Sequence, residues 1–168
     1  MELKGRVYKF GDNVSTDLII SGRYKFALTD MKELGKHIME DARPGFYDEL
    51  EPGGAFIAAG YNWGMGSSRE QAPLALKSAG ISVVIAKSFA RIFYRNSFNI
   101  GLPLIECDTS GIDEGDALEI DLDKGLIKNL SKKTELTMRP LPRVMRKLLQ
   151  DGGVIGHFKK YGGLNFDS

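Results

Sequence analysis

Short apolar runs, separated by polar turns and amphipathic segments, predict alternating strands and helices along the chain. The runs that favour strands are Leu3–Phe10, Ala55–Ala59, Ile81–Ala86 and Leu102–Ile105. Helical spacing of apolar positions fills the intervals, and Asp30, Ser67 and Ser68 are residue types that cap helix N-termini. A strand–helix–strand–helix–strand order favours parallel pairing with right-handed crossovers. We therefore predict a parallel sheet flanked by helices.

The pattern changes after Asp116, where three short alternating segments are typical of antiparallel strands. These segments are Ala117–Leu122, Leu126–Leu130 and Thr134–Met138. Pro142 then favours the start of a last helix over Arg143–Gln150, and we expect the tail from His157 to Ser168 to be partly mobile. The whole pattern predicts one α/β domain over residues 1–168, with a largely parallel sheet and an antiparallel appendage.

Composition and charge narrow the class of protein. The chain has 168 residues, of which 42% are hydrophobic and 27% charged, which is ordinary for a globular domain. Its 23 basic and 22 acidic residues give a net charge of +1, without the basic excess of a nucleic-acid-binding protein. The first ten residues lack the apolar run of a signal peptide, and no segment approaches the roughly 20 apolar residues of a membrane span. We expect a cytoplasmic enzyme or enzyme subunit that binds neither nucleic acid nor membrane.

Few side chains are available to bind a metal. Cys107 is the only cysteine, so the chain cannot supply the about four ligands of an iron–sulfur cluster. With only His37 and His157 besides, a structural zinc site is not expected either. We interpret His37 as solvated, His157 as structural and Cys107 as an unreactive thiol at the end of a strand. The sequence therefore predicts no metal and no cofactor site in this chain.

The most distinctive segment is a glycine- and serine-rich loop, Tyr61–Pro73, between a predicted strand and a predicted helix. Glycines let a ligand approach the main chain, and a helix N-terminus offers free N–H groups and a positive dipole end. The spacing fits neither a P-loop nor a nucleophile elbow. Either Ser67 faces a substrate whose carboxylate Arg69 binds, or a serine only caps the helix and Arg69 forms a solvated pair with Glu70. The preceding asparagine and glycines favour the substrate site.

A second polar segment, Gly11–Asp17, follows the first predicted strand and is itself followed by Gly22, Arg23 and Tyr24. One interpretation is an Asx-type turn that leads into an exposed loop. The other is a second wall of the same site, because loops at the carboxyl ends of neighbouring parallel strands converge. Spacing alone favours the turn.

Taken together, these segments resemble the small subunits of the aconitase-like hydro-lyases, most closely those of 3-isopropylmalate dehydratases and archaeal-type homoaconitases. Nearly the whole chain takes part, through the ordered motifs Gly11–Asp17, Ile19–Tyr24, Asn62–Pro73, Ser88–Asn96 and Gly101–Pro103. The resemblance implies a swivelling β/β/α three-layer domain, as in the aconitase C-terminal (swivel) domain. Met65 and Gln71 depart from the residues of many relatives, and we interpret both as variation away from the substrate.

The resemblance also implies a reaction and a partner. In this family a large subunit carries a [4Fe–4S] cluster, one iron of which acts as a Lewis acid, so we expect a heterodimer or heterotetramer with such a subunit. The serine that matches Ser67 is the base that removes a carbon-bound proton. The arginine that matches Arg69 binds a substrate carboxylate and favours the alkoxide of that serine, and Ser68 is expected to contact the substrate. The reaction moves a hydroxyl between adjacent carbons of a malate derivative by dehydration and rehydration.

The choice of substrate depends on the segment that matches the family's specificity loop, Ile20–Leu28. Its candidate substrate-binding residues are Arg23, Tyr24, Lys25 and Phe26. Lys25 could bind the distal carboxylate of a homoaconitate-like tricarboxylate, or it could point to solvent while Tyr24 and Phe26 help to line an apolar pocket for an isopropyl group. We favour the interconversion of 2- and 3-isopropylmalate in leucine biosynthesis. Homoaconitate, citraconate or dimethylmalate turnover and a stand-alone dicarboxylate- or phosphate-binding module are the alternatives.

Overall fold

The computed structural model describes residues 1–24 and 29–166, and its centre is a seven-stranded sheet. The strands are β1 Glu2–Lys9, β2 Ala55–Ala58, β3 Ile81–Ala86, β4 Leu104–Glu106, β5 Ala117–Asp121, β6 Leu126–Asn129 and β7 Thr134–Thr137. They lie in the order β4-β3-β2-β1-β5-β6-β7. Each predicted strand is present, with ends that differ from the predicted ones by at most two residues.

Helices and one 3-10 turn connect and cover the strands. They are α1 Thr16–Ile19, the 3-10 helix Gly22–Tyr24, α2 Met31–Gly35, α3 Phe46–Glu49, α4 Gln71–Ala79, α5 Arg91–Asn99, α6 Arg143–Gln150 and α7 Val154–Tyr161. Within the described ranges, no helix has the length and apolar character needed to cross a bilayer.

Strand β1 joins a parallel half of the sheet to an antiparallel half. On one side it runs parallel to β2, with Val7 opposite Phe56, and the β2–β3 and β3–β4 pairs are parallel as well. On the other side it is antiparallel to β5, with Leu3 opposite Ile120, and β6 and β7 continue the antiparallel order. The mixed sheet confirms the predicted α/β class with its antiparallel appendage.

The two halves bury their strands differently. All four residues of β2 and five of the six in β3 are buried, as expected for parallel strands covered on both faces. Strand β5 instead alternates between buried and half-buried positions, because one face of the antiparallel half is open. The parallel half is therefore the rigid support, and the loops at its carboxyl edge are anchored in the core.

The structure corrects the predicted cap of α4. The helix begins at Gln71, and Glu70 is its N-cap residue without a side-chain cap hydrogen bond. Neither Ser67 nor Ser68 caps it, so the prediction of a capping serine was wrong. Asp30 does cap its helix, since its side chain accepts a hydrogen bond from the Lys32 N–H at 2.9 Å. The two serines are consequently free to face the space in front of α4.

The structure also adds a helix, α7, where the sequence suggested a mobile tail. His157 in α7 is fully buried, and its Nδ1 lies 2.7 Å from Asp151 Oδ2. The imidazole stacks on the Phe166 ring with centroids 4.7 Å apart, and Nε2 lies 2.9 Å from the Asn165 carbonyl oxygen. His157 is therefore structural, as predicted, and it ties the tail up to Phe166 to the end of α6.

Candidate active site

The loops that follow β1 and β2 run side by side at the carboxyl edge of the parallel strands. Four main-chain hydrogen bonds of 2.8 to 3.1 Å join them, from Gly60 N to Gly11 O, Asn13 N to Tyr61 O, Gly64 N to Val14 O and Thr16 N to Met65 O. The segment Gly11–Asp17 is therefore a second wall beside the serine loop, which is the interpretation that spacing alone did not favour.

Polar side chains fix how the two loops meet. Asp12 Oδ1 accepts a hydrogen bond from the Tyr61 N–H at 2.8 Å, and a Cβ atom on Gly60 would lie only 1.7 Å from that oxygen. Asn13 and Asn62 both adopt left-handed backbone angles, with φ of 57° and 59°, which asparagine tolerates better than most residues. The Asn62 amide donates to Asn13 Oδ1 at 3.1 Å. Asp12 and Asn13, which the sequence pattern places in an Asx-type turn, therefore also join the two loops.

Ser67 is exposed at an open cleft of about 580 Å³ in front of α4. The cleft is lined by Met31, Ser67, Ser68, Arg69, Glu70, Gln71 and Leu74. Behind Ser67 lies the buried Thr16, whose Oγ1 is 2.9 Å from the Ser67 carbonyl oxygen and 3.2 Å from Ser67 Oγ. The Ser67 hydroxyl thus lies between a buried threonine and an open cleft.

The Arg69 side chain lies against the loop that follows β1. Its Nη1 is 2.8 Å from Asp17 Oδ1 and donates a longer hydrogen bond of 3.4 Å to the Ile20 carbonyl oxygen. A Cβ atom on Gly22 would lie 3.0 Å from Nη2, so the glycine leaves room for the guanidinium. Arg69 is paired with Asp17 and not with Glu70, and its planar fork suits a carboxylate.

Comparison with known proteins identifies the family. Residues 6–109 match the aconitase C-terminal domain. The chain is 56% identical over 164 residues to 3-isopropylmalate dehydratase small subunit 2 of Archaeoglobus fulgidus, covering 98% of this chain and 99% of that protein. It is 55% identical to the 3-isopropylmalate dehydratase small subunit of Wolinella succinogenes, over 93% of each chain. The chain belongs to the aconitase C-terminal domain family, among the 3-isopropylmalate dehydratase small subunits.

Solved structures agree with this small-subunit family. A crystal structure of 3-isopropylmalate dehydratase from Methanocaldococcus jannaschii has a TM-score of 0.92 at 46% identity and covers 96% of both chains. Aconitase X of Thermococcus kodakaraensis, at 16% identity and a TM-score of 0.51, shares the fold alone. The resemblance that the ordered motifs indicated is confirmed.

Arg23 and Tyr24, two residues predicted to set substrate specificity, form ion-pair and hydrogen-bond contacts outside the cleft. Arg23 Nη2 lies 2.9 Å from Asp41 Oδ1, and the Tyr24 hydroxyl donates to Glu40 at 2.6 Å. The hydrogen bond from Tyr24, with a further one from His37, holds the pKa of Glu40 below its ordinary value. The Tyr24 ring stacks on His37 at 4.1 Å, so His37 is partly covered and not simply solvated.

The predicted site residues are thus distributed unevenly. Ser67, Ser68 and Arg69 come together at the cleft, whereas Arg23 and Tyr24 are not among the described residues that line it. Lys25 and Phe26 lie outside the described residues.

Sequence reasoning missed four residues of the cleft, Met31, Glu70, Gln71 and Leu74. Gln71 was interpreted as variation away from the substrate, but it lines the cleft. Leu74 lies one turn after Gln71 in α4, so helical spacing could have placed it on the same face. Met31 carries no such signal, because it reaches the cleft only through the packing of α2 against α4.

The side chains of the described residues do not form a site that fits an iron–sulfur cluster. Nowhere in residues 1–24 and 29–166 do three or more His, Cys, Asp or Glu side chains group as metal ligands. Burial raises the pKa of the Cys107 thiol to about 11, which keeps it protonated at neutral pH. Cys107 therefore has the character of an unreactive thiol.

Proposed function

We propose that the chain is the small subunit of a 3-isopropylmalate dehydratase, a hydro-lyase that interconverts 2- and 3-isopropylmalate together with a large subunit. The observation that carries the proposal is the pairing of an exposed Ser67 with a fixed Arg69 at one open cleft. The near-complete coverage of relatives that bear this name supports the substrate. We further propose a cytoplasmic enzyme, because a free thiol such as Cys107 is typical of a reducing compartment.

In this proposal Ser67 removes the carbon-bound proton. Its Oγ, as the alkoxide, takes that proton and the carbon–carbon double bond forms. The hydroxyl of the adjacent carbon leaves as water after it takes a second proton from solvent. Rehydration returns the proton of Ser67 to one carbon, adds the water oxygen to the other and releases the second proton to solvent. Removing a group of this kind costs about 10²- to 10⁴-fold in rate.

Arg69 and Ser68 orient the substrate beside this base. The ion pair with Asp17 leaves N–H groups of Arg69 for a substrate carboxylate. The same positive charge favours the alkoxide form of Ser67, since an adjacent cation lowers the cost of ionising a hydroxyl. Ser68, exposed on the same wall, is a further hydrogen-bonding group for the substrate. The segment Ile20–Leu28 is proposed to contact the variable substituent.

The large subunit is proposed to bring the [4Fe–4S] cluster, since the single cysteine of this chain cannot supply the about four ligands of such a cluster. Apolar side chains exposed at the site's edge of the sheet support such a partner: Tyr61 and Met65, which follow β2, and Ile92, which follows β3. Their exposed fractions are 55%, 39% and 50%. Large apolar side chains left exposed along one edge are typical of a surface that another chain covers.

The test is anaerobic reconstitution of this chain with its large subunit and 3-isopropylmalate. We expect the wild-type pair to form 2-isopropylmalate and Ser67→Ala to lose about 10²-fold or more in kcat while still assembling. Ser78→Ala is the matched control, because Ser78 is exposed on α4 and does not line the cleft. Near-normal turnover by Ser67→Ala would refute the base, and an active pair that ignores isopropylmalate but consumes homoaconitate would refute the substrate.

A further inference from the structure

Thr16 is held rigidly behind Ser67. It is the first residue of α1 and is 2% exposed, and its N–H donates to the Met65 carbonyl oxygen at 2.9 Å. Ser15, its neighbour, caps α1 by accepting a hydrogen bond from the Leu18 N–H at 3.2 Å. The Thr16 hydroxyl is therefore fixed in place by helix and loop together.

The contacts of Thr16 determine where its proton lies. A carbonyl oxygen can only accept, so the 2.9 Å contact with Ser67 O requires Thr16 to donate. With its single proton so used, Thr16 Oγ1 can only accept from Ser67 Oγ across the 3.2 Å contact. The Ser67 proton then points at Thr16, and the lone pairs of Ser67 Oγ face the cleft.

The geometry points to Thr16 as a positioning residue for Ser67, a role that rests on the proposed function of Ser67 as the base. When Ser67 releases its proton to water, the electron pair stays on Oγ and Thr16 turns its own O–H toward the anion 3.2 Å away. A hydrogen bond to a charged acceptor is stronger than one to a carbonyl, which favours this turn. The Ser67 carbonyl keeps a partner, because the Arg69 N–H donates to it at 2.9 Å. Once Ser67 has taken a proton from carbon, Thr16 turns back.

The test compares Thr16→Val with wild type in the reconstituted pair. Losing one hydrogen bond to a charged group should lower kcat by about ten- to hundredfold. The limb of the pH–rate profile that reports Ser67 ionisation should move upward by about one pH unit or more. Thr16→Ser keeps the hydroxyl and should restore both values. If Thr16→Val does not fold, Thr16→Ala, which also lacks the hydroxyl, takes its place.

Ser15→Ala separates positioning from local stability, because it removes the neighbouring cap and leaves the Thr16 hydroxyl. It should lower the unfolding temperature, but it should shift the pH–rate profile far less than Thr16→Val does, because Thr16 keeps its hydroxyl and its N–H bond to the Met65 carbonyl oxygen. An unchanged rate in Thr16→Val, a rate loss with an unshifted profile, or failure of Thr16→Ser to restore the profile would each overturn the role of Thr16. Inactivity of the wild-type pair would instead refute the proposed function itself.

Discussion

At the scale of single residues, Gly22 decides where the Arg69 guanidinium lies. A methyl group at Gly22 would meet Nη2 at 3.0 Å and Nη1 at 3.3 Å, so Gly22→Ala should push the fork away from Asp17. We expect the KM for isopropylmalate to rise about tenfold, the size of one lost charge-assisted hydrogen bond. Stability should change by less than about 1 kcal/mol, since the backbone at Gly22 is open to alanine.

The matched control for that substitution is Gly111→Ala. Nothing lies within 4 Å of a Cβ atom at Gly111, and Gly111 is not among the described residues that line the cleft. Steady-state kinetics of the two reconstituted variants give the comparison, with thermal unfolding alongside. An unchanged KM in Gly22→Ala would show that the position of the guanidinium is not sensitive to this glycine.

At the scale of elements, the packing of the serine loop against α5 depends on Gly64. A Cβ atom there would lie 2.3 Å from Phe93 Cγ, and φ is +81°. Gly64→Ala should therefore lower the free energy of unfolding by about 1–2 kcal/mol, because alanine is strained in the left-handed backbone conformation. A further loss of about 1–3 kcal/mol is expected for overpacking. Urea unfolding measures the free energy of the variant.

Gly45→Ala isolates the backbone part of that loss. Its φ of +78° is nearly the same, but nothing lies within 4 Å of its Cβ position. The difference between the two variants is then the steric contribution of Phe93. Equal losses of unfolding free energy in Gly64→Ala and Gly45→Ala would contradict close packing between the serine loop and α5.

The junction of α6 and α7 gives a pH prediction. The hydrogen bond from His157, followed by one from Lys160, holds the pKa of Asp151 below its ordinary value. A depressed carboxyl pKa stabilises the fold above about pH 4, and this contribution is lost as the pH falls further. Urea unfolding of wild type and Asp151→Asn should therefore differ at pH 6 and converge toward pH 3. Asp48→Asn, on the exposed surface of α3, controls for the lost charge, and a difference that persists at pH 3 would contradict the prediction.

Elements differ in how far sequence alone predicts them. The strand β3 was predicted with its observed ends, because Ile81–Ala86 is a continuous apolar run between polar turns. α7 was missed, because its only fully buried side chain is His157 and its apolar Ile155 and Phe158 are exposed. Its stability comes from contacts with Asp151 and Phe166, which periodicity does not report.

The site shows the same division. The serine–arginine loop was found because its residue types are unusual together, whereas the second wall formed by Gly11–Asp17 was ambiguous. The same residues favour a turn and join the two loops. For instance, Asp12 accepts a hydrogen bond from the N–H of Tyr61, 49 positions away in the sequence. Only the parallel pairing of β1 and β2 brings these loops together.

At the scale of the whole molecule, the chain provides one side of the site and leaves the other side open. The cleft is open, and Ser67 and Ser68 on its wall are exposed. The Arg69 side chain is 20% exposed and already paired with Asp17, and an ion pair that opens to water contributes only about 0–1 kcal/mol. We therefore expect the isolated chain to bind isopropylmalate with a Kd above about 1 mM, which corresponds to about −4 kcal/mol. The reconstituted pair, in which the proposed large subunit would cover the cleft, should bind it much more tightly.

Isothermal titration calorimetry on the isolated chain decides between this half-site and a stand-alone dicarboxylate-binding module. Micromolar binding by the isolated chain that Arg69→Lys abolishes would favour the module. Arg139→Lys is the control and should keep such binding, because Arg139 pairs with Glu106 and does not line the cleft. Absence of binding by the isolated chain, with turnover in the reconstituted pair that Arg69→Lys impairs, is the outcome we expect. Lysine keeps the charge of Arg69 but not its fork, so the loss would identify bidentate binding of a carboxylate as the contribution this chain makes to the shared site.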